Sequence, residues 1–213
     1  MEEHVAAILE EQLEETIHNL NGRRFETYIC ENRKEVLPLL DELIKDHTVV
    51  ANGGSVTLQE IGVLDYLKQR DVTFLDRMAP NLDEAGYMNC IREALHCDTY
   101  LMSSSAVTRD GQLYNIDGNG NRLASLLFGP KQVLVIVGIN KLVADLEAAR
   151  ARMRNLSAPA NAHRLNCQTP CVKTGMCMDC RSADRICAQE LITSWQRFPG
   201  RIKIIFVKES LGY

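Results

Sequence analysis

Gln132-Val-Leu-Val-Ile-Val-Gly138 is the stretch on which the fold turns. Five apolar residues in succession, with no polar alternation, predict a strand covered on both faces, the habit of a central strand in a parallel sheet. Shorter β runs flank it at Phe25–Cys30, Thr48–Ala51, Val72–Leu75, Thr99–Met102 and Arg201–Val207. Between them lie segments with apolar residues at helical spacing: 35–45, 58–70, 83–96 and 142–155. In 83–96 the expected inward stripe is Ala85, Met88, Ile91 and Leu95. Residues 4–20 place Val5, Ile8, Leu13, Ile17 and Leu20 on one stripe opposite Glu10, Glu11, Glu14 and Glu15, predicting an amphipathic N-terminal helix. Ala106 to Ile116 reads as a hairpin turned by Asp110-Gly111, and a short helix is expected over 123–127. Strands alternate with helices almost throughout, so the fold class is α/β: a mostly parallel sheet flanked by helices.

Ligands of such sheets bind outside the carboxyl ends of the strands. Three polar clusters fall at those ends. Gly53-Gly54-Ser55-Val56-Thr57 leads from a strand into a helix, an arrangement that lets backbone N–H groups approach an anion. Asp117-Gly118-Asn119-Gly120-Asn121-Arg122 is a second glycine-rich polar loop, and Asn140-Lys141 follows the central strand. Together they predict a pocket for a small anionic substrate. Asp117 and Lys141 are the catalytic candidates. Gly53, Gly54, Ser55, Thr57, Gly118, Asn119, Asn121, Arg122 and Asn140 are the binding candidates, with Arg122 or Lys141 holding a carboxylate.

Chemistry is also concentrated near the C-terminus. Of eight cysteines, five fall between Cys167 and Cys187. Cys177 and Cys180 form a C-x2-C hook, with Cys171 before it and Cys187 after it. Four thiolates on one excursion suit a tetrahedral zinc or a [4Fe–4S] cluster. Single cysteines around one hook favour the cluster, zinc being the alternative. Cys171, Cys177, Cys180 and Cys187 are the expected ligands, and Cys167 can stand in for Cys171. Redox disulfides are the competing reading. Cys30, Cys90 and Cys97 read as small core residues.

The opening Met1-Glu-Glu-His-Val5 lacks the basic start and apolar run of a secretory signal, and no apolar stretch reaches membrane-spanning length. The expectation is a cytoplasmic chain with reduced thiols and no membrane partner. A net charge of −4 argues against nucleic acid. The 213 residues, 46% of them hydrophobic, suffice for one domain over 1–213, carrying helix 4–20 and a cysteine-rich loop insertion over 161–187.

The chain resembles the lactate-utilisation (LUD) domain family over nearly its full length. The resemblance rests on Gly53-Gly54-Ser55-Val-Thr57, Thr108-Arg-Asp-Gly111-Gln-Leu with Asn115 to Arg122, Gly138-Ile-Asn140-Lys141, Ala158-Pro-Ala-Asn161 and Cys171 through Cys187. The tail looks like the variant that ends in this domain, without separate ferredoxin modules. The resemblance implies a fold like the phosphosugar isomerases and coenzyme A transferases, and a link to oxidation of L-lactate to pyruvate in bacteria. The Thr108-to-Arg122 region is similar to methylthioribose-phosphate isomerase, where it lines the sugar-phosphate pocket.

The leading functional expectation is an iron–sulfur redox component acting on lactate or another small 2-hydroxy acid, with an electron-transfer protein as partner and a homo-oligomer allowed. The alternatives are a non-redox isomerase or transferase for a sugar phosphate or acyl thioester, with the cysteines as a structural clip, and a ligand-sensing subunit. A helix over 142–155 would carry the chain back along the sheet. The cysteine segment would then begin at the amino ends of the strands and reach a pocket only by folding over the edge or serving a second subunit.

Overall fold

The structure, a computed structural model, describes residues 3–213. Its strands are β1 (Glu26–Cys30), β2 (Val49–Asn52), β3 (Thr73–Leu75), β4 (Thr99–Met102), β5 (Ala106–Thr108), β6 (Leu113–Asp117), β7 (Gln132–Gly138), β8 (Leu142–Val143), β9 (Gln189–Thr193) and β10 (Ile202–Val207). Its α-helices are α1 (Glu3–Gly22), α2 (Val36–Leu43), α3 (Val56–Ile61), α4 (Val63–Gln69), α5 (Glu84–Glu93), α6 (Asn121–Leu127), α7 (Leu146–Arg152), α8 (Ala158–Arg164) and α9 (Pro170–Thr174).

Six strands form one parallel sheet in the order β1-β10-β7-β4-β2-β3. The sequence places β7 at the centre, and there it lies, between β10 and β4. Val133, Val135 and Val137 face the core shared with α1 and Tyr100. Leu134 and Ile136 face the opposite core, built with Val36 and Leu40 of α2 and with Leu58, Val63 and Leu67 of α3 and α4. All five are fully buried. At roughly 1.5–3 kcal/mol for each side chain removed from water, this strand is a principal source of the sheet's stability.

A second sheet, β8-β5-β6-β9, was not expected beyond its β5–β6 hairpin. It is inserted where β4 and β7 end. The chain leaves β4 through Ser103-Ser104-Ser105 into β5, and leaves β7 through a 3-10 turn, Ile139–Lys141, into β8, which pairs with β5. Leu142 and Val143 therefore begin a strand, correcting the expected helix 142–155. The helical stretch is α7, a π-helical turn at Met153–Ser157 and α8. Ala149, Met153 and Ala158 pack on Ala106 and Tyr114 of the second sheet.

Other departures are local. The expected helix 58–70 starts at Val56 and breaks into α3 and α4 at Gly62, whose φ of +84° glycine adopts without a Cβ clash. On α5, Met88 is exposed and Ala85 faces solvent, while Tyr87, Cys90 and Ile91 are half-buried. Val5 and Ile8 of α1 are exposed, and its buried face is Leu13, Thr16 and Leu20. Among the described residues no helix is long and apolar enough to cross a membrane.

Candidate functional site

Between the two sheets, at the carboxyl ends of β2, β4 and β7, lies a cleft of about 290 Å³. Gly54, Ser55 and Thr57 line it from the β2–α3 turn. Asp117, Gly118, Asn119, Asn121 and Arg122 line it from the β6–α6 loop, and Lys141 from beyond β7. All three polar clusters thus reach one cavity. Gly53 and Asn140 do not line it. A Cβ on Gly53 would stand 3.1 Å from Arg122 Cδ and from the Tyr100 hydroxyl, so this glycine admits packing behind the wall. Asn140 turns away and ties down the last residues: its amide donates to Gly212 O at 3.1 Å, and its Oδ1 accepts from Leu211 N at 3.0 Å. The Ser55 hydroxyl caps α3 by accepting from Leu58 N at 3.4 Å.

Lys141 is 3% exposed. Its ammonium nitrogen donates to Thr57 Oγ1 and to Ser103 Oγ, each at 2.8 Å. Burial, then the neighbouring Arg152 and Arg122, bring its pKa down to about 7, against a smaller opposing pull from Glu60. Near neutral pH this amine can both give and take a proton.

Arg122 and Asp117 are built into the wall. The Arg122 guanidinium donates to Ser103 O at 3.1 Å, to Asn115 Oδ1 at 2.5 Å and to Ile116 O. Burial lowers its pKa, opposed by nearby Asp117, but its charge remains a fixed positive field. Asp117 Oδ1 accepts from Gly118 N at 2.9 Å, and Oδ2 accepts from Arg122 N at 2.9 Å and Leu123 N at 3.3 Å. Both oxygens are spent on closing the loop into α6, which is the work of a cap rather than of an acid–base group.

The cleft has further polar walls that sequence reading passed over: Arg77, Tyr87, Ser103 to Ser105, Ser157, Arg164 and Tyr213. Arg77 lies over the Tyr87 ring at 5.3 Å and donates to its hydroxyl at 3.0 Å, while its buried Nε has no partner. Arg164 bonds Asn161 Oδ1 and the Tyr213 hydroxyl. Three consecutive serines at a strand's carboxyl end were the available signal for Ser103 to Ser105; Arg77, two residues past β3, follows the same rule. Nothing local marks Arg164 or Tyr213. Arg77, Arg122, Lys141 and Arg164 surround the cavity, and among the described residues none of them pairs with a carboxylate at salt-bridge distance. Among the described residues Asp117 is the one acidic residue on the wall. The site suits an anion.

The cysteine segment reaches this cleft within one chain. Ile186 and Cys187 line it, and Ala188 N donates to Asp117 O at 2.9 Å. The expected path to the amino ends of the strands is overturned: α7 and α8 run over the second sheet, already at the carboxyl side. All eight cysteines are free thiols. Cys171 Sγ lies 3.2 Å from the Thr169 hydroxyl. Cys177 faces Arg154, and Cys187 Sγ accepts from Arg185 at 3.6 Å. Four thiols on one segment are the right donor chemistry for a cluster or for zinc; among the described residues no three Cys, His, Asp or Glu side chains are gathered as a metal site. Cys167 is buried, and Cys177 and Cys180 of the hook are half-buried. Cys30 and Cys97 are core residues whose thiols burial pushes up to about 11 and about 12; Cys90 is only half-buried.

A family model described as the LUD domain matches residues 13–207. Among solved structures, a DUF162 family protein from Deinococcus radiodurans is similar with a TM-score of 0.51 at 14% identity, over 95% of this chain and 98% of that one. At that identity the likeness shows the fold alone. Ribose 5 phosphate isomerase A from Neisseria gonorrhoeae aligns over 54% of each chain, at 12% identity and a TM-score of 0.34. No curated protein matches.

Proposed function

The chain belongs to the LUD domain family, which is associated with lactate utilisation, and from that premise we propose that its cleft holds lactate or another small 2-hydroxy acid as the substrate of a redox system. The observation that carries this reading is the set of four cations, Arg77, Arg122, Lys141 and Arg164, around one polar cleft. A bound carboxylate would find charge-assisted donors there. Arg77 and Arg164 then hold the carboxylate. The substrate hydroxyl meets Lys141, whose amine takes its proton while Thr57 and Ser103 hold the nitrogen in place. Arg122 contributes field without contact, and Asp117 keeps the loop closed.

We propose further that Cys171, Cys177, Cys180 and Cys187 take up a [4Fe–4S] cluster, zinc being the alternative. A cluster supplies one-electron transfer when bound. The proposed partner is an electron-transfer protein docking at this segment. The isomerase or transferase reading, with a sugar phosphate in the cleft and the cysteines as a clip, draws its support from the hydroxyl-rich walls.

Two measurements test the reading. Calorimetric titration with L-lactate and pyruvate should show binding that Arg77→Ala weakens; no heat with either acid refutes the small-acid site. Anaerobically purified protein should contain about four iron and four sulfide per chain, the content of a cubane. Stoichiometric zinc without iron would favour the clip.

A further inference from the structure

The hydrogen bonds around Lys141 assign each valence of its nitrogen. The Thr57 hydroxyl donates to Leu211 O at 3.3 Å, and the Ser103 hydroxyl donates to Ser104 O at 3.4 Å. Both hydroxyls have therefore committed their hydrogens, and each meets Lys141 as an acceptor at 2.8 Å. A neutral amine has two hydrogens and one lone pair. The two hydroxyls fix both hydrogens, so the lone pair is held in one direction rather than turning about the side chain. Lys141 stands on the cleft wall, and among the described residues no carboxylate forms an ion pair with it. A lysine that is desolvated and set beside other cations is an activated nucleophile.

We propose that Lys141 condenses with the carbonyl carbon of a small 2-oxo acid to form an imine in this cleft; this rests on the small-acid reading of the site. The lone pair attacks the carbonyl carbon, forming the C–N bond and placing the electron pair on the carbonyl oxygen, which takes up one of the two amine protons. The C–O bond of the resulting carbinolamine then breaks. The two hydrogens of the amine leave with the oxygen as water, and the imine remains. No oxidant or reductant is consumed. The two hydrogens that must depart are those in contact with Thr57 and Ser103, so the same hydroxyls that aim the nucleophile lie on the route its protons take. Arg77, on the same cleft wall, is the anchor for the carboxylate. Burial, with Arg152 and Arg122 nearby, keeps a large fraction of the amine unprotonated near neutral pH, where a lysine in water is almost wholly ammonium.

The test is reduction of the full-length protein with borohydride in the presence of pyruvate, followed by intact-mass measurement and peptide mapping. The expected result is one reduced adduct, located at Lys141, formed with pyruvate and not with L-lactate, and suppressed when L-lactate is added as competitor. Lys141→Arg should abolish it, and Ser103→Ala should slow its formation. Mapping on the wild-type protein locates the adduct even where a variant fails to fold. Adducts confined to exposed lysines overturn the proposal. So does absence of any adduct when calorimetry shows that pyruvate binds; in that case the small-acid site stands and only the nucleophile fails. If calorimetry detects neither acid and no adduct forms, the site reading and the imine fall together.

Discussion

Lys141 and Asp117 exchange prominence once their partners are seen. Both sit at strand ends in a glycine- and amide-rich context, and the sequence nominates both as chemical groups. Asp117 accepts three backbone N–H bonds and serves α6 as a cap. Asp117→Ala should therefore cost about 1–2 kcal/mol in urea unfolding, the usual value of a capping side chain. Asp117→Asn, which keeps an acceptor oxygen, should cost less and leave pyruvate affinity nearly unchanged. Lys141 has the opposite profile. Its pKa falls from 10.5 in water to about 7 in the fold, so between those values the unfolded chain binds more protons than the folded one. Stability then rises with pH across that window. Below pH 7 the full penalty of burying the charge is present, and above 10.5 it is gone. Against wild type, Lys141→Met should show a stability advantage that shrinks by up to about 1.4 kcal/mol per pH unit between pH 7 and 10.5 in denaturant titrations. A pH-independent difference would mean that the amine is not desolvated.

At the scale of elements, boundaries follow the hydrophobic period where one element faces one core. Strand β4 runs from Thr99 to Met102 and β7 from Gln132 to Gly138, as the apolar runs predict, because both are covered on two faces. The period fails where a second partner intervenes. Leu142 and Val143 continue the spacing of α7, yet they pair with Val107 and Thr108 of β5, a partner more than thirty residues away. Gly62 shows a local rule acting inside a periodic stretch: its positive φ ends α3 and redirects α4. Gly62→Ala should destabilise the protein by about 1 kcal/mol in chemical unfolding, since an alanine there adopts a left-handed conformation. An unchanged midpoint would show that the break tolerates a side chain. The cysteine segment is ordered by long-range contacts of the same kind, such as Cys177 N to Arg154 O at 2.8 Å.

For the molecule as a whole, the second sheet makes the site. It closes over the carboxyl ends of the six-stranded sheet, converting a surface of polar loops into a cleft with four cations. An acid bound there stabilises the folded state by mass action. Pyruvate or L-lactate at a hundredfold excess over its dissociation constant should add about 2.7 kcal/mol, read as a rise in Tm. Arg77→Ala should remove most of that rise while shifting the unliganded Tm little, because among the described residues the Arg77 side chain is bonded only to Tyr87. A ligand-induced rise that survives the substitution would move the carboxylate to Arg164.

The sequence by itself determined the α/β class, the central position of β7, the amphipathic α1 and the three polar clusters at strand ends. Each of these follows from short-range periodicity or turn chemistry, which a chain carries locally. It also determined the thiol-rich segment, because cysteine spacing is visible in one dimension. Only the tertiary structure decided that Gly53 and Asn140 stand behind the wall, that Arg122 is spent on Ser103, Asn115 and Ile116, and that Arg77 and Arg164 enter the cleft. Only it brought Cys187 beside the Asp117–Arg122 loop. These outcomes depend on pairings across dozens of residues, β5 with β8 and β6 with β9 above all, where the apolar pattern fixes that a face must be buried but not which distant strand will bury it.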